Sequence, residues 1–134
     1  MIHRTSIKTS ALCLVLTAML FGPILVDALH FVEVHRDGVG GEDGLNGPRC
    51  VTVSPDGRHV YVAGYLDNAI AMFSREGRRG TLQFLEIQKD GVKEVDGLSR
   101  PASIVLSPDG RYVYVAGYLD NAVAAFRRNE TTGK

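Results

Sequence analysis

The sequence predicts an all-β protein assembled from tandem copies of a four-stranded antiparallel unit. Three observations carry this reading. The chain repeats itself at an offset of 53 residues, Ser54 falling on Ser107; each period holds four short β-prone runs; and turn-forming residues recur at the same offsets.

The offset is visible along the whole period. Residues 29–34 (LHFVEV) fall on residues 82–87 (LQFLEI), and Ser54-Pro55-Asp56-Gly57-Arg58 falls on Ser107-Pro108-Asp109-Gly110-Arg111. Residues 60–69 (VYVAGYLDNA) recur unchanged as residues 113–122. Repeat one is therefore residues 29–81 and repeat two residues 82–134. In repeat one the β-prone runs are residues 29–35, 50–53, 59–63 and 69–73. Ser54-Pro55-Asp56-Gly57 reads as a hairpin turn, with Pro presetting φ and Gly taking the positive-φ position. Asp67-Asn68 and the Gly-rich residues 76–80 read as the other two turns. Neighbouring apolar residues in each run, as in Val60-Tyr61-Val62-Ala63, suit a sheet covered on both faces, for which strict alternation is not expected. Four short antiparallel strands per period are the content of a propeller blade.

Residues 1–28 read as a separate segment. Arg4 and Lys8 precede an apolar stretch over residues 11–26, which Gly22-Pro23 interrupts and Val26-Asp27-Ala28 follows. That is the pattern of a cleaved secretion signal with a helical apolar core, and it falls short of the roughly 20 residues of a spanning helix. A secreted, periplasmic or cell-surface protein with no stable membrane span after cleavage is expected. Cleavage there leaves Cys50 as the one cysteine, with Ser103 at its place in repeat two, so no internal disulfide is expected. Lys plus Arg and Asp plus Glu both number 15 in 134 residues, a balance that gives no electrostatic reason to expect nucleic acid as a partner.

The composite pattern SPDGR-x-VYVAGY-x-DNA-x-A-x-F, then a Gly-rich turn, then L-x-F-x-E, resembles the repeats of lactonase-like β-propellers and the related YVTN-type repeats. The resemblance implies that strand A of each blade lies nearest the axis and strand D outermost. It makes residues 29–35 a D strand without its blade, residues 50–88 strands A to D, and residues 103–126 strands A to C. Propellers close with about four to eight blades, so two blades form an incomplete ring. The chain is read either as part of a longer propeller or as a unit that closes a ring with copies of itself.

The alternation of strands puts the D–A loops (residues 36–49 and 89–102) and the B–C loops (residues 64–68 and 117–121) at one end. That end collects Asp37, Glu42, Asp43 and Asp67, then Asp90, Glu94, Asp96 and Asp120. The other end collects Arg58, Arg75, Arg78, Arg79, Arg111, Arg127 and Arg128, read as solvated loop residues. Candidate ligand-binding residues are Arg49, just before strand A, and the B–C residues Tyr65, Asp67 and Asn68 with their repeats Tyr118, Asp120 and Asn121. The tyrosines either face a ligand or wedge between blades. Asp–Asn pairs also form turns without binding anything, since both tolerate the left-handed region. No cofactor is expected; calcium on Asp37, Asp43, Asp90 and Asp96 is an alternative, although the Asp-x-Asp-x-Asp-Gly spacing of a calcium loop is absent. His30, His35 and His59 become Gln83, Gln88 and Tyr112, which argues against a histidine role repeated in every blade.

These features support an exported scaffold that binds a protein or carbohydrate ligand without chemistry of its own. The alternative, implied by the resemblance, is a lactone hydrolase of the 6-phosphogluconolactonase type whose site needs further blades.

Overall fold

The computed structural model describes residues 29–134, and the compact unit carrying every strand is Val32–Lys134. The secretion-signal pattern of residues 1–28 lies outside the described residues. Seven strands form two antiparallel sheets. The first contains β1 (Pro48–Val53), β2 (His59–Gly64), β3 (Ala69–Arg75) and β4 (Leu82–Lys89), in that spatial order. The second contains β5 (Pro101–Leu106), β6 (Tyr112–Gly117) and β7 (Ala122–Arg127), also in order.

Local chemistry sets the turns. The Gly57 N–H donates to the Ser54 carbonyl, and Gly57 takes φ +72°. The Asp56 carboxylate accepts from the Ser54 hydroxyl and the Arg58 N–H, and the Ser54 Oγ accepts from the His59 N–H. The same bonds recur at Ser107, Asp109, Arg111 and Tyr112. Asn68 and Asn121 hold the left-handed conformation that their turns require, at φ +53° and +51°.

The repeated decapeptide shows how much burial depends on context. In β2, Tyr61 is 1% exposed and Ala63 is fully buried, because the second sheet covers one face and a loop covers the other. In β6, buried and exposed residues alternate strictly, and the equivalent Tyr114 is 38% exposed. The expectation of two-sided burial holds for the first repeat only, since the second has one covered face. Between the sheets, Tyr61, Ala63, Ile70 and Met72 meet Leu98, Ile104, Val113 and Val115. Cys50, a free thiol, lies in this layer with its Sγ 3.4 Å from the Ile104 nitrogen.

Residues 29–35, read as a D strand without its blade, form no strand, and the second sheet has the three strands expected of residues 103–126 and not a full set of four. In the first sheet the edge of β3 is taken by β4, so residues 29–35 find no place in that ladder. Residues 33–35 instead lie against the first sheet: the Glu33 carboxylate accepts from the Leu82 N–H, and the His35 ring meets Phe73 edge-on at 5.3 Å.

Arg128 also departs from its expected place. It is not solvated: its side chain is 1% exposed and clasps the two blades together. Its Nε donates to the Tyr61 hydroxyl (2.8 Å), Nη1 to the Gly110 carbonyl (2.9 Å), and Nη2 to Asp56 Oδ2 (2.9 Å) and His59 Nδ1 (2.7 Å). The Tyr61 hydroxyl in turn donates to the Gly133 carbonyl. Burial would raise the Asp56 carboxyl, but Ser54, the Arg58 N–H and Arg128 hold it well below the usual carboxylate range. A guanidinium only donates, so His59 Nδ1 must accept and the proton sits on Nε2. Burial and then the Arg128 charge push the His59 pKa down from 6.5.

A pH dependence follows. With a depressed folded pKa, His59 stays neutral in the native clasp while the unfolded chain takes up a proton below about pH 6.5. Stability is expected to fall as pH drops from 7 through that window, and Asp56 extends the fall at lower pH. His35 works in the opposite direction, because its bond to Glu42 raises its pKa and stabilises the protonated form. Urea melts of the wild type and His59→Gln at pH 7 and pH 5.5 separate the two histidines. The variant is expected to lose less stability on acidification, because glutamine accepts from Arg128 at either pH. An equal loss in both would contradict this account of His59.

Candidate functional site

The D–A and B–C loops of each blade are tied into one surface. In the first blade, the N–H groups of Gly44, Leu45 and Asn46 donate in turn to Asp43, Asp37 and Asp67, at 2.8, 3.0 and 2.9 Å. In the second, Gly97, Leu98 and Ser99 donate to Asp96, Asp90 and Asp120, at 2.9, 3.0 and 2.8 Å. Each trio of carboxylates offers oxygens within 4.8 Å of one another. The four aspartates considered for calcium thus gather with Asp67 and Asp120, and each carboxylate has a backbone N–H to hold. Their oxygens could coordinate a hard cation, while the N–H bonds account for the residues as loop clamps without one.

Close backbone approach at one glycine makes this clamp feasible. A Cβ on Gly64 would lie 2.1 Å from the Gly44 carbonyl oxygen, and one on Gly117 would lie 2.1 Å from that of Gly97. The B–C loop therefore starts with glycine in both repeats. Asn68 ties one blade to the next: its Oδ1 accepts from the Arg100 N–H at 2.9 Å, and its carbonyl accepts from the Asp90 N–H. Asn68 is thus a turn former and an inter-blade tie. Asn121 holds the same turn and is exposed.

Above this frame sits a cationic cluster. Ladder register breaks between Pro48 and Cys50, so Arg49 is the extra residue of a β-bulge, a device that re-aims a side chain. Its guanidinium carbon lies 4.3 Å from the Tyr65 ring centroid, over the ring. Arg100 also stacks over Tyr65, at 5.0 Å. Among the described residues neither guanidinium is in an ion pair. Arg100 has φ +54°, where its repeat mate is Gly47 at φ +62°, so an arginine occupies a conformation suited to glycine. The sequence reading missed Arg100. The signal was the Gly47-to-Arg100 replacement at the repeat offset; Gly40 and Gly41 give way to Lys93 and Glu94 in the same loop, also at positive φ, but only Arg100 reaches Tyr65. Tyr65 is partly buried among the arginines, whereas Tyr118 is 63% exposed and has Ala102, not an arginine, at the second bulge. The cluster therefore occurs once in the chain, unlike the carboxylate clamp, which occurs twice.

Comparison with known proteins places these features in a family. The family model described as Lactonase, 7-bladed beta-propeller matches residues 39–134. The chain is 25% identical over 115 residues to a 6-phosphogluconolactonase of Bacillus subtilis, covering 81% of this chain and 33% of that protein. It is 27% identical over 92 residues to Antigen Lp49 of Leptospira interrogans, covering 61% of this chain and 19% of the antigen. Among solved structures, the periplasmic gluconolactonase of Pseudomonas aeruginosa superposes with a TM-score of 0.56 at 28% identity, covering 69% of this chain and 25% of that one. A protein from Lactobacillus plantarum superposes equally well, with a TM-score of 0.56 at 33% identity, covering 68% of this chain and 26% of that one. The chain spans a third or less of the length of these relatives. With its repeat, its two antiparallel blades and the family match over most of its length, this chain belongs to the seven-bladed β-propeller lactonase family.

Proposed function

We propose that the chain supplies part of the substrate face of a sugar-acid lactone hydrolase, with Arg49, Tyr65 and Arg100 meeting the ligand. The observation that carries this reading is the convergence of two unpaired guanidiniums on one tyrosine ring. Bringing two like charges together is unfavourable, and each cation–π contact returns only about 0.5–1 kcal/mol at an exposed site. An anionic ligand relieves that repulsion. A repeated binding scaffold would show the cluster in both blades, and it appears in one. Family membership and this single occurrence favour the hydrolase over the scaffold.

In such a reaction water adds to the lactone carbonyl, the acyl–oxygen bond of the ring breaks, and a hydroxy acid leaves. Charge builds on the carbonyl oxygen and ends on the product carboxylate, and guanidinium N–H groups stabilise both. The proton of the attacking water goes to a base outside this trio, because the arginines stay protonated. Residues 1–28, with their secretion pattern, and the periplasmic relative support an exported location.

Hydrolysis of glucono-1,5-lactone by the wild type, Arg49→Ala and Arg100→Ala tests the reading. Each substitution is expected to lower turnover by about 10²–10³-fold, the scale of one lost oxyanion donor. Equal rates in all three would reject the arginines, and binding of the aldonate without turnover would return the scaffold reading. Arg100→Gly sharpens the test. Glycine suits the left-handed conformation, so Tm is expected to hold or rise slightly while ligand recognition falls.

A further inference from the structure

We infer that Asn68 is a positioning residue of the candidate site: from the first blade, its side chain holds the Arg100 backbone in the left-handed conformation that carries the guanidinium over Tyr65. The geometry stands on the fold alone, and the consequence for a ligand rests on the function proposed above.

Arg100 is the member of the cluster with the least local support. A residue with a side chain is disfavoured at φ +54°, and glycine fills the same place in the first repeat. Released, this peptide would relax toward negative φ and swing the guanidinium away from the ring. Two bonds from different blades oppose that. The Arg100 N–H donates to Asn68 Oδ1 at 2.9 Å, and the Arg100 carbonyl accepts from the Tyr118 N–H at 3.1 Å. The Tyr118 bond has a counterpart in the first blade, where the Tyr65 N–H donates to the Gly47 carbonyl. It closes the loop within a blade, and does so for glycine as well as for arginine. The Asn68 bond spans the blades and acts on the peptide whose φ is unfavourable.

Asn68 is itself anchored. It takes φ +53°, and its carbonyl accepts from the Asp90 N–H at 2.9 Å. The residue thus grips the D–A loop of the second blade at both ends, Asp90 through its backbone and Arg100 through its side chain. Within that loop the Leu98 N–H donates to Asp90 Oδ1, and the Ser99 N–H to Asp120 Oδ2. The successive N–H groups of Leu98, Ser99 and Arg100 are therefore fixed by separate elements, and of these acceptors only Asn68 belongs to the first blade.

Asn68 also shares its B–C loop with Tyr65. One short loop holds Arg100 twice, at the N–H through Asn68 and at the guanidinium through the Tyr65 ring, 5.0 Å from its centroid. Arg49 stacks on the same ring, so the tie fixes the two arginines relative to each other. Asn68 acts through Arg100 in this arrangement and does not itself meet the ligand.

Glycine at position 68 keeps the left-handed turn and the carbonyl that Asp90 uses, so Asn68→Gly removes the Oδ1 bond alone. Aspartate tolerates the same φ and offers the same oxygen, so Asn68→Asp restores it. Protons above the face of an aromatic ring are shielded, so the Arg100 side-chain NMR signals report the stack on Tyr65 without any ligand. Shielded signals and a slowly exchanging Arg100 amide are expected in the wild type and in Asn68→Asp, and both are expected to be lost in Asn68→Gly. By calorimetry, gluconate is expected to bind Asn68→Gly about two- to tenfold more weakly than the wild type, the range of one net hydrogen bond. In an Arg100→Gly background, Asn68→Gly is expected to add no further loss. A shielded and protected Arg100 in Asn68→Gly, or losses that add in the double variant, would overturn the inference. Should the wild type fail to bind gluconate, the proposed function falls, while the ligand-free signals still decide the role of Asn68. Should Asn68→Gly fail to fold, the Arg100 amide decides: slow exchange in the wild type and Asn68→Asp supports the tie, and fast exchange in the wild type overturns it.

Discussion

Arg128→Ala is expected to destabilise the blade pair by about 3 kcal/mol, the lower end for removing one partner of a buried ion pair. The loss strands more than one group. Asp56 keeps Ser54 and the Arg58 N–H but loses its counter-charge, and the Tyr61 hydroxyl, His59 Nδ1 and the Gly110 carbonyl each lose a donor. Asp56 stays partly open to water, with a side chain 30% exposed, which keeps the loss below the full desolvation penalty. For a domain of this size such a loss lowers Tm by roughly 10–20 °C. Arg75→Ala is the internal control. Arg75 holds the same position in its repeat but bonds only the Gly57 carbonyl, so the expected cost is about 0.5–1.5 kcal/mol, that of one hydrogen bond. Denaturant melts of the two variants check the difference. Equal costs would mean that the clasp to Asp56, His59 and Tyr61 adds nothing.

Gly64→Ala is the second large effect. The added methyl would sit 2.1 Å from the Gly44 carbonyl oxygen, against backbone that cannot rotate aside as a side chain could. Relief requires the D–A loop to lift from β2. That movement breaks the Asn46 N–H bond to Asp67 and the Tyr65 and Leu66 N–H bonds to the Gly47 and Asn46 carbonyls, and it shifts the bulge that aims Arg49. The expected cost is about 3 kcal/mol, the upper end for overpacking, together with loss of ligand recognition. Gly77→Ala is the matching control: no atom lies within 4 Å of its Cβ direction, so the change is expected to stay within about 0.5 kcal/mol. Thermal melts with parallel ligand titrations measure both consequences. A Gly64→Ala protein of wild-type stability would show that the loop has room to move.

Much of the fold is legible because its causes are local. The Ser-Pro-Asp-Gly turns, the Asp-Asn turns and the strand content follow from side chains within a few residues of one another, and the repeat offset states each twice. Strand starts differ slightly: β1 and β5 begin at Pro48 and Pro101, because proline is tolerated at the first residue of a strand. The missing strand over residues 29–35 shows the limit of local reasoning. Its residues are β-prone, but a ladder needs an edge, and sequence does not say which edge is free. Arg128 shows the same limit at the level of side chains. Its acceptors Asp56, His59 and Tyr61 lie in the other blade, so its burial emerges only when the blades are stacked. The candidate site was half legible. Arg49 and Tyr65 stand out by position and type, while Arg100 needed the comparison with Gly47 to be read as a backbone cost accepted for a side chain.

The central claim is that Arg49, Tyr65 and Arg100 form an acidic-sugar site, and Arg100→Gly tests it most directly. Calorimetric titration with gluconate, alongside thermal melts of the same samples, separates recognition from folding. The account predicts that gluconate binds the wild type, that binding falls at least about tenfold in Arg100→Gly, equivalent to about 1.4 kcal/mol, and that Tm is unchanged or higher. Wild-type binding in Arg100→Gly at unchanged Tm would contradict it.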